Sequence, residues 1–190
     1  QSYLDEQREL NQGIDRLRQQ YLASVPEAIE QYFDIVLSAS SYPENFPQSF
    51  VLKHNPESKI LLIEYTLPLL DDLPKTKSVK YVQSRDELVE TLVPEKAMKT
   101  NYDNVIYQIT IRTIHEIFES DVIGAVDAVV FNGIVETVDA STGRTIRPTI
   151  VSVQATKSEF MEFNLAAVDP KACFRKLKGI GSAQLHAITP

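Results

Sequence analysis

The sequence predicts an α+β fold: a mostly antiparallel sheet of hairpins packed on one long helix, with an N-terminal helical extension. Three observations predict it. From Met98 to Phe118 the apolar residues keep a three-four rhythm over six turns. Before and after that helix lie short runs with period-two alternation, separated by Pro, Asn, Asp and Gly turn signals. The first 22 residues are polar apart from one narrow apolar stripe. These features divide the chain into residues 1–22, a helix that serves as coiled coil or linker, and residues 23–190, a single α+β domain.

The N-terminal stripe consists of Tyr3, Leu10, Ile14, Leu17 and Tyr21, with Gln7 in the gap and Gly13 as a weak point. So narrow a stripe packs either on the domain or on a partner helix. Ser24-Val25-Pro26-Glu27 opens a second helix, with Ser24 as cap, Pro26 in the first turn and Glu27 at the positive end. Its apolar residues are Ile29, Phe33, Val36 and Leu37. Tyr42-Pro43-Glu44-Asn45-Phe46-Pro47 is a stiff loop whose aromatics either plug the core or form a docking surface.

A hairpin follows, with Phe50, Leu52 and His54 alternating, a turn at Asn55-Pro56-Glu57-Ser58, and a return strand from Lys59 to Leu67. Leu61, Ile63, Tyr65 and Leu67 share one face; Ile60, Leu62, Glu64 and Thr66 take the other, half-exposed face. Ser78 to Val82 is a third short strand. Pro94 starts the long helix, whose frequent β-branched residues require burial for stability. The strand from Val126 is apolar on both faces, which places it centrally in the sheet. Gly133 within it marks a bulge or a close backbone approach. Asp139-Ala140-Ser141-Thr142-Gly143 is a hairpin loop with Gly143 left-handed. Thr149 to Val153 pairs back. Asp169-Pro170 opens a short helix closed by Gly179.

With 190 residues, 43% hydrophobic and 24% charged, the chain has the composition of a globular domain. The net charge of −7 opposes tight non-specific nucleic-acid binding by the whole surface, although a local basic face remains open. The single cysteine, Cys173, permits no internal disulfide, which suits the reducing cytoplasm; its apolar neighbours mark it as a core residue. No apolar run approaches the roughly 18 residues of a membrane span, and the polar N-terminus is unlike a signal peptide. A start at Gln1 rather than Met predicts a segment of a longer polypeptide.

The stretch from Tyr102 to Lys157 has the outline of a metal-dependent nuclease core: a helix, an acid-bearing strand, then a Gln-and-Lys strand. Its four candidate residues are Glu116, Asp127, Gln154 and Lys157. Such sites hold a divalent metal between acids and use a nearby Lys to polarise the attacking water. Strand parity opposes this use, because Gln154 and Lys157 are three apart and a regular strand sends them to opposite faces. His115-Glu116 lacks the second His of a zinc helix. Leu177-Lys178-Gly179-Ile180-Gly181 matches either a helix C-cap or the phosphate-binding turn of a helix-hairpin-helix element. Lys171, Arg175, Lys176 and Lys178 beside it are the candidate nucleic-acid contacts. Phosphate-binding loops, dinucleotide fingerprints and nucleophile elbows are absent.

Taken in order, several segments resemble one family. They are Glu27-Ala28-Ile29-Glu30-Gln31-Tyr32-Phe33 running on to Tyr42-Pro43-Glu44-Asn45-Phe46-Pro47, then Ile63-Glu64-Tyr65-Thr66-Leu67-Pro68 and Val79-Lys80-Tyr81-Val82. Ile111-Arg112-Thr113-Ile114-His115-Glu116-Ile117-Phe118, Val130-Phe131-Asn132-Gly133 and Val151-Ser152-Val153 follow. Asp169-Pro170-Lys171-Ala172-Cys173-Phe174 and Leu185 to Pro190 complete the set. The chain thus resembles the region preceding the catalytic domain in bacterial Mrr-type restriction endonuclease-like proteins. That family's nuclease centre carries an Asp-Gly-Gly-x-Asp strand and a Gln-x-Lys strand, and neither occurs here. The resemblance implies a non-catalytic interaction, sensor or oligomerisation domain of a DNA-defence protein. It implies a downstream nuclease domain of the same polypeptide as partner, with Mg as that domain's divalent metal and no cofactor in this chain. Contact with DNA would then be indirect. The residues themselves, apart from the resemblance, lead to two further expectations: self-association through the stripe of the N-terminal helix, and no membrane. The alternatives are a divergent nuclease core built on Glu116, Asp127, Gln154 and Lys157, or direct DNA binding through Lys171 to Lys178.

Overall fold

A computed structural model describes residues 2–139, 141–182 and 185–187 of the chain. Helix α1 (Ser2–Leu22) leads directly into α2 (Pro26–Ser38). The cap of α2 is Val25 rather than Ser24, and no side chain caps it. Ser24 instead takes a left-handed conformation, φ 57°, to turn the chain between the two helices. With Pro26 in the first turn, one orphan N–H is removed outright, so the missing side-chain cap costs little. Ala28, Ile29, Phe33 and Leu37 bury the inner face of α2 as their spacing requires.

Strands β1 (Phe50–Asn55) and β2 (Ile60–Thr66) form the expected hairpin. Asn55 Oδ1 accepts from the amides of Glu57 and Ser58, and Lys59 adopts φ 50° to close the turn. Leu61, Ile63, Tyr65 and Leu67 are all buried. Strand β3 (Thr76–Val82) pairs antiparallel with β4 (Glu87–Leu92) in a separate ribbon. Strand β4 carries no period-two burial signal, because every one of its residues is exposed; this is why the sequence does not announce it.

Helix α3 (Glu95–Ser120) crosses the core. Tyr102, Ile106, Ile114 and Ile117 have no exposed surface. Tyr107, Ile111 and Phe118 are also buried, so α3 is apolar well beyond one stripe. Each fully buried side chain contributes roughly 1.5–3 kcal/mol of transfer free energy, enough to offset the low helix propensity of the β-branched run. The Tyr102 hydroxyl donates to the Pro68 carbonyl at 3.0 Å and ties the helix to the end of β2.

After α3 come β5 (Ala128–Ile134), the short pair β6 (Thr137–Val138) and β7 (Thr145–Ile146), and β8 (Thr149–Thr156). Helices α4 (Lys157–Phe160) and α5 (Pro170–Lys176) and strand β9 (Ile180–Gly181) follow. The main sheet runs β1-β2-β5-β8-β9, with β5 at its centre as its two-sided apolarity requires. Three of its pairings are antiparallel, but β2 and β5 run parallel. A parallel neighbour needs a long crossover, and the β3–β4 ribbon and α3 together supply it. One sheet face, with Leu52, Ile63, Phe131 and Val153 in register, enters the core. The opposite face carries the cross-strand row Lys53, Leu62, Val130, Gln154.

Gly133 has both features expected of it. The β5–β8 register shifts between Gly133 and Ile134, and a Cβ at Gly133 would collide with the Leu67 and Val151 side chains. Beyond the bulge, Val135 and Thr137 turn inward while Glu136 and Val138 face solvent. In the Asp139–Gly143 loop, Gly143 is left-handed, φ 65°, and Asp139 accepts from Ser141 and Thr142; Ala140 lies outside the described residues, as do Thr189 and Pro190. Burial raises the pKa of the Cys173 thiol, in keeping with a core role.

The end of α5 corrects two expectations. The left-handed residue is Lys178, φ 57°, rather than Gly179. The amide of Gly179 bonds the Phe174 carbonyl and that of Lys178 bonds the Arg175 carbonyl, the two bonds of a Schellman motif. Gly179 is required for space: a Cβ there would strike the Phe174 ring. The helix-hairpin-helix reading fails here as well, because Ile180-Gly181 pairs with Ser152 and Val151 as a sheet edge.

One buried charge joins these elements. The side chain of Asp121, just past α3, is fully buried and accepts from the amides of Ala125 (2.8 Å) and Val126 (3.2 Å). The Lys157 ammonium, at the start of α4, completes the set at 3.0 Å from Oδ2. Breaking a buried pair is costly because it leaves an uncompensated charge. Lys157→Met is expected to lower unfolding free energy by about 1–2 kcal/mol, since Lys157 is partly solvated. Asp121→Ala removes all three acceptor interactions and is expected to cost about 3 kcal/mol. Urea unfolding followed by circular dichroism would rank the two; equal or negligible losses would contradict the assignment. Gly133→Ala is expected to cost about 1–3 kcal/mol by overpacking, and Val151→Ala should recover part of that loss in the same assay.

Candidate functional site

A cavity of about 860 Å³ forms a groove along the outer side of α3. Its apolar lining comes from four places. Met98, Val105 and Ile109 project from α3, Tyr42, Pro43 and Phe46 come from the loop after α2, and Leu73 and Pro74 from the turn after β2. Leu165 and Val168, between α4 and α5, and Pro170, the first residue of α5, complete it. The prolines fix φ on both flanks, so these borders are stiff. In the Tyr42–Pro47 loop, Tyr42 and Phe46 pack on the core and also line the groove.

The polar lining is ordered. Asn101, Asn104, Gln108, Arg112 and His115 step along α3 at intervals of three and four, so they share a face. The amides of Asn101, Asn104 and Gln108 have no hydrogen-bond partner among the described residues. Arg112 is fully committed: Nε bonds Glu116 at 2.7 Å, a terminal nitrogen bonds the Ser41 carbonyl at 3.1 Å, and the guanidinium lies 4.7 Å from the Tyr42 ring centroid. It thus holds the Tyr42 loop against α3. Burial raises the Tyr42 pKa, a shift that Arg112 opposes and Glu116 reinforces. Tyr65 beneath it is raised further, again chiefly by burial. His115 lies at one end, 3.3 Å from the Glu119 carboxylate.

The four nuclease candidates have separate surroundings. Glu116 bonds Arg112 and the Ser40 hydroxyl, facing the loop after α2. The Asp127 side chain is exposed, and its carbonyl accepts from the Lys157 amide. Gln154 lies exposed on the outer face of β8. Lys157 is held by Asp121. No hydrogen bond or ion pair joins any two of these four side chains, and no cluster of three metal-ligating residues occurs among the described residues.

The basic group around α5 is spread out. Lys171 sits 5.6 Å from the Tyr107 ring centroid and Lys176 5.3 Å from that of Phe163, while Arg175 and Lys178 are exposed. Lys178 and Gln154 line a smaller outer-face cavity of about 490 Å³ with Glu159. The cation at Lys178 contributes to lowering the Glu159 pKa, behind the hydrogen bonds from Thr156.

The amide stripe escaped sequence reasoning. Asn101, Asn104 and Gln108 interleave with the buried set Tyr102, Ile106 and Ile109. Their spacing was legible, but the apolar borders on either side come from distant segments. No helix among the described residues is long and apolar enough to cross a membrane. No protein-family model, curated protein or solved structure matches this chain.

Proposed function

We propose that the chain is a non-catalytic interaction domain whose working surface is the groove along α3, and that the groove takes an extended peptide segment. The observation that carries this reading is the row of unpartnered amides set in an apolar, proline-bordered trough. An amide offers one acceptor and two donors, which is what a peptide backbone requires of its host. Asn104 and Gln108 lie about 6 Å apart along the helix axis. An extended chain repeats its outward-facing groups about every 6.7 Å. A strand laid along α3 can therefore meet successive amides with backbone groups on one side and place alternate apolar side chains against Val105, Ile109, Phe46 and Val168.

The resemblance to Mrr-type restriction endonuclease-like proteins supports a natural source for that segment. In this reading the parent is a DNA-defence endonuclease with a Mg-dependent nuclease domain downstream, and the groove engages a segment of that domain. The separate surroundings of Glu116, Asp127, Gln154 and Lys157 favour this over cleavage by the chain itself.

Phage display of random decapeptides on the immobilised chain tests the groove. Enrichment of sequences with apolar residues at alternate positions is expected. Val105→Glu, which puts a charge on the trough floor, should weaken the selected peptides by at least about tenfold, roughly 1.4 kcal/mol. Gln108→Ala should cost about 1 kcal/mol. No enrichment, or enrichment indifferent to Val105→Glu, would sink the groove assignment. Separately, Mg-dependent cleavage of duplex DNA that is abolished by Asp127→Ala would overturn the non-catalytic reading.

A further inference from the structure

Helix α1 carries an apolar stripe that continues beyond the domain it is anchored to. At its C-terminal end the stripe is covered: Tyr21 is buried against Tyr32, with ring centroids 4.2 Å apart, and Leu17 packs on the core. One and two turns earlier the same stripe is uncovered. Leu10 is 58% exposed and Ile14 56% exposed, and every residue from Asp5 to Arg16 faces solvent. Roughly three turns of helix thus stand clear of the body. A polar helix of that length is marginal in water, because helices under about 12–15 residues do not support themselves.

Gln7, Leu10, Ile14, Leu17 and Tyr21 alternate steps of three and four without a break, the repeat of a two-helix seam. The own-domain contact with α2 uses the last two positions and leaves Leu10 and Ile14 for another helix. Charge is divided along α1 as well. Asp5, Glu6 and Glu9 outnumber Arg8 in the first half, and Arg16 and Arg18 outnumber Asp15 in the second. Parallel pairing would set like halves side by side, whereas antiparallel pairing brings unlike halves together.

We propose that a second copy of this chain covers the free part of α1, in an antiparallel helix pair related by a two-fold axis. The axis passes level with residue 12, so Leu10 of each copy packs on Ile14 of the other and Gln7 approaches Leu17. This arrangement is isologous and closes on itself. It also places the two domain bodies at opposite ends of the helix pair, which avoids the crowding that side-by-side anchors would cause. Gly13 flanks the seam next to the axis, and a Cβ there would meet nothing within 4 Å in the single chain. A glycine in mid-helix costs roughly 1 kcal/mol relative to Ala, and its place at the crossing lets the helices approach closely.

Sedimentation velocity of the whole chain over a micromolar concentration series tests the pairing. A reversible monomer–dimer equilibrium is expected, with far-UV helix signal rising as dimer forms. Leu10→Asp with Ile14→Asp should weaken association by at least about a hundredfold, or roughly 2.7 kcal/mol, while leaving the urea midpoint of the domain in place. A chain that stays monomeric at hundreds of micromolar, or a dimer indifferent to the double substitution, overturns the proposal. Orientation is read separately by oxidative cross-linking, since Cys173 is buried. An equimolar mixture of Leu10→Cys and Ile14→Cys chains should cross-link to each other. Leu10→Cys cross-linking to itself with equal yield would show the parallel pair and overturn the antiparallel one.

Discussion

The carboxylate of Asp121 sits in the core without any contact with water and accepts from the amides of Ala125 and Val126 and from the Lys157 ammonium. Three elements meet there. The end of α3, the lead into the central strand β5, and the junction of β8 with α4 all depend on it. A carboxylate moved into an apolar interior incurs a penalty of several kcal/mol unless its lone pairs are taken up. The Asp121 set takes them up with groups from two segments that are otherwise distant. The backbone amides bend the chain sharply after α3 so that β5 can run parallel to β2, and Lys157 fixes where β8 must stop.

That parallel pairing shapes everything on the other side of the sheet. A hairpin could have joined β2 to its neighbour in a few residues. A parallel neighbour instead requires the chain to travel back along the whole strand, and here it does so through the β3–β4 ribbon and the 26 residues of α3. The long helix covers the inner sheet face, and its length leaves a further side exposed along the loop after α2. The groove occupies that side. Its rigidity derives from Arg112, which bonds Glu116, caps the Ser41 carbonyl and lies over Tyr42 at once. An arginine so engaged serves as a brace for the wall, while the amides of Asn101, Asn104 and Gln108 have no hydrogen-bond partner among the described residues.

The position of Lys157 illustrates how a polar pattern in sequence and the contact made in space can differ. In sequence, Gln154 and Lys157 close a strand that follows an acid-bearing strand, which has the outline of a metal-dependent nuclease. In space, β8 ends at Thr156 and Lys157 begins α4. Its ammonium then reaches Asp121, a residue that reads in sequence as part of a loop leading out of a helix. Leu177 to Gly181 show a related effect. A glycine followed by Ile180-Gly181 suggested a capped helix or a phosphate turn, yet Lys178 makes the left-handed turn and Gly179 is needed for the Phe174 ring.

Periodicity by itself determined the α+β class, the extent of α3, the β1–β2 hairpin and the central place of β5, because burial of one face or of two writes a period into the side chains. It also determined the significance of Gly133, since a glycine inside an apolar strand has few physical explanations. Only the tertiary structure decided the rest. The β3–β4 ribbon has no buried face, and so left no period to read. The groove is assembled from α3 and from segments at residues 41–46, 73–74 and 165–170, so no local window contains it. The Asp121–Lys157 pair spans 36 positions, and a partner at that distance leaves no trace in the residues next to either one.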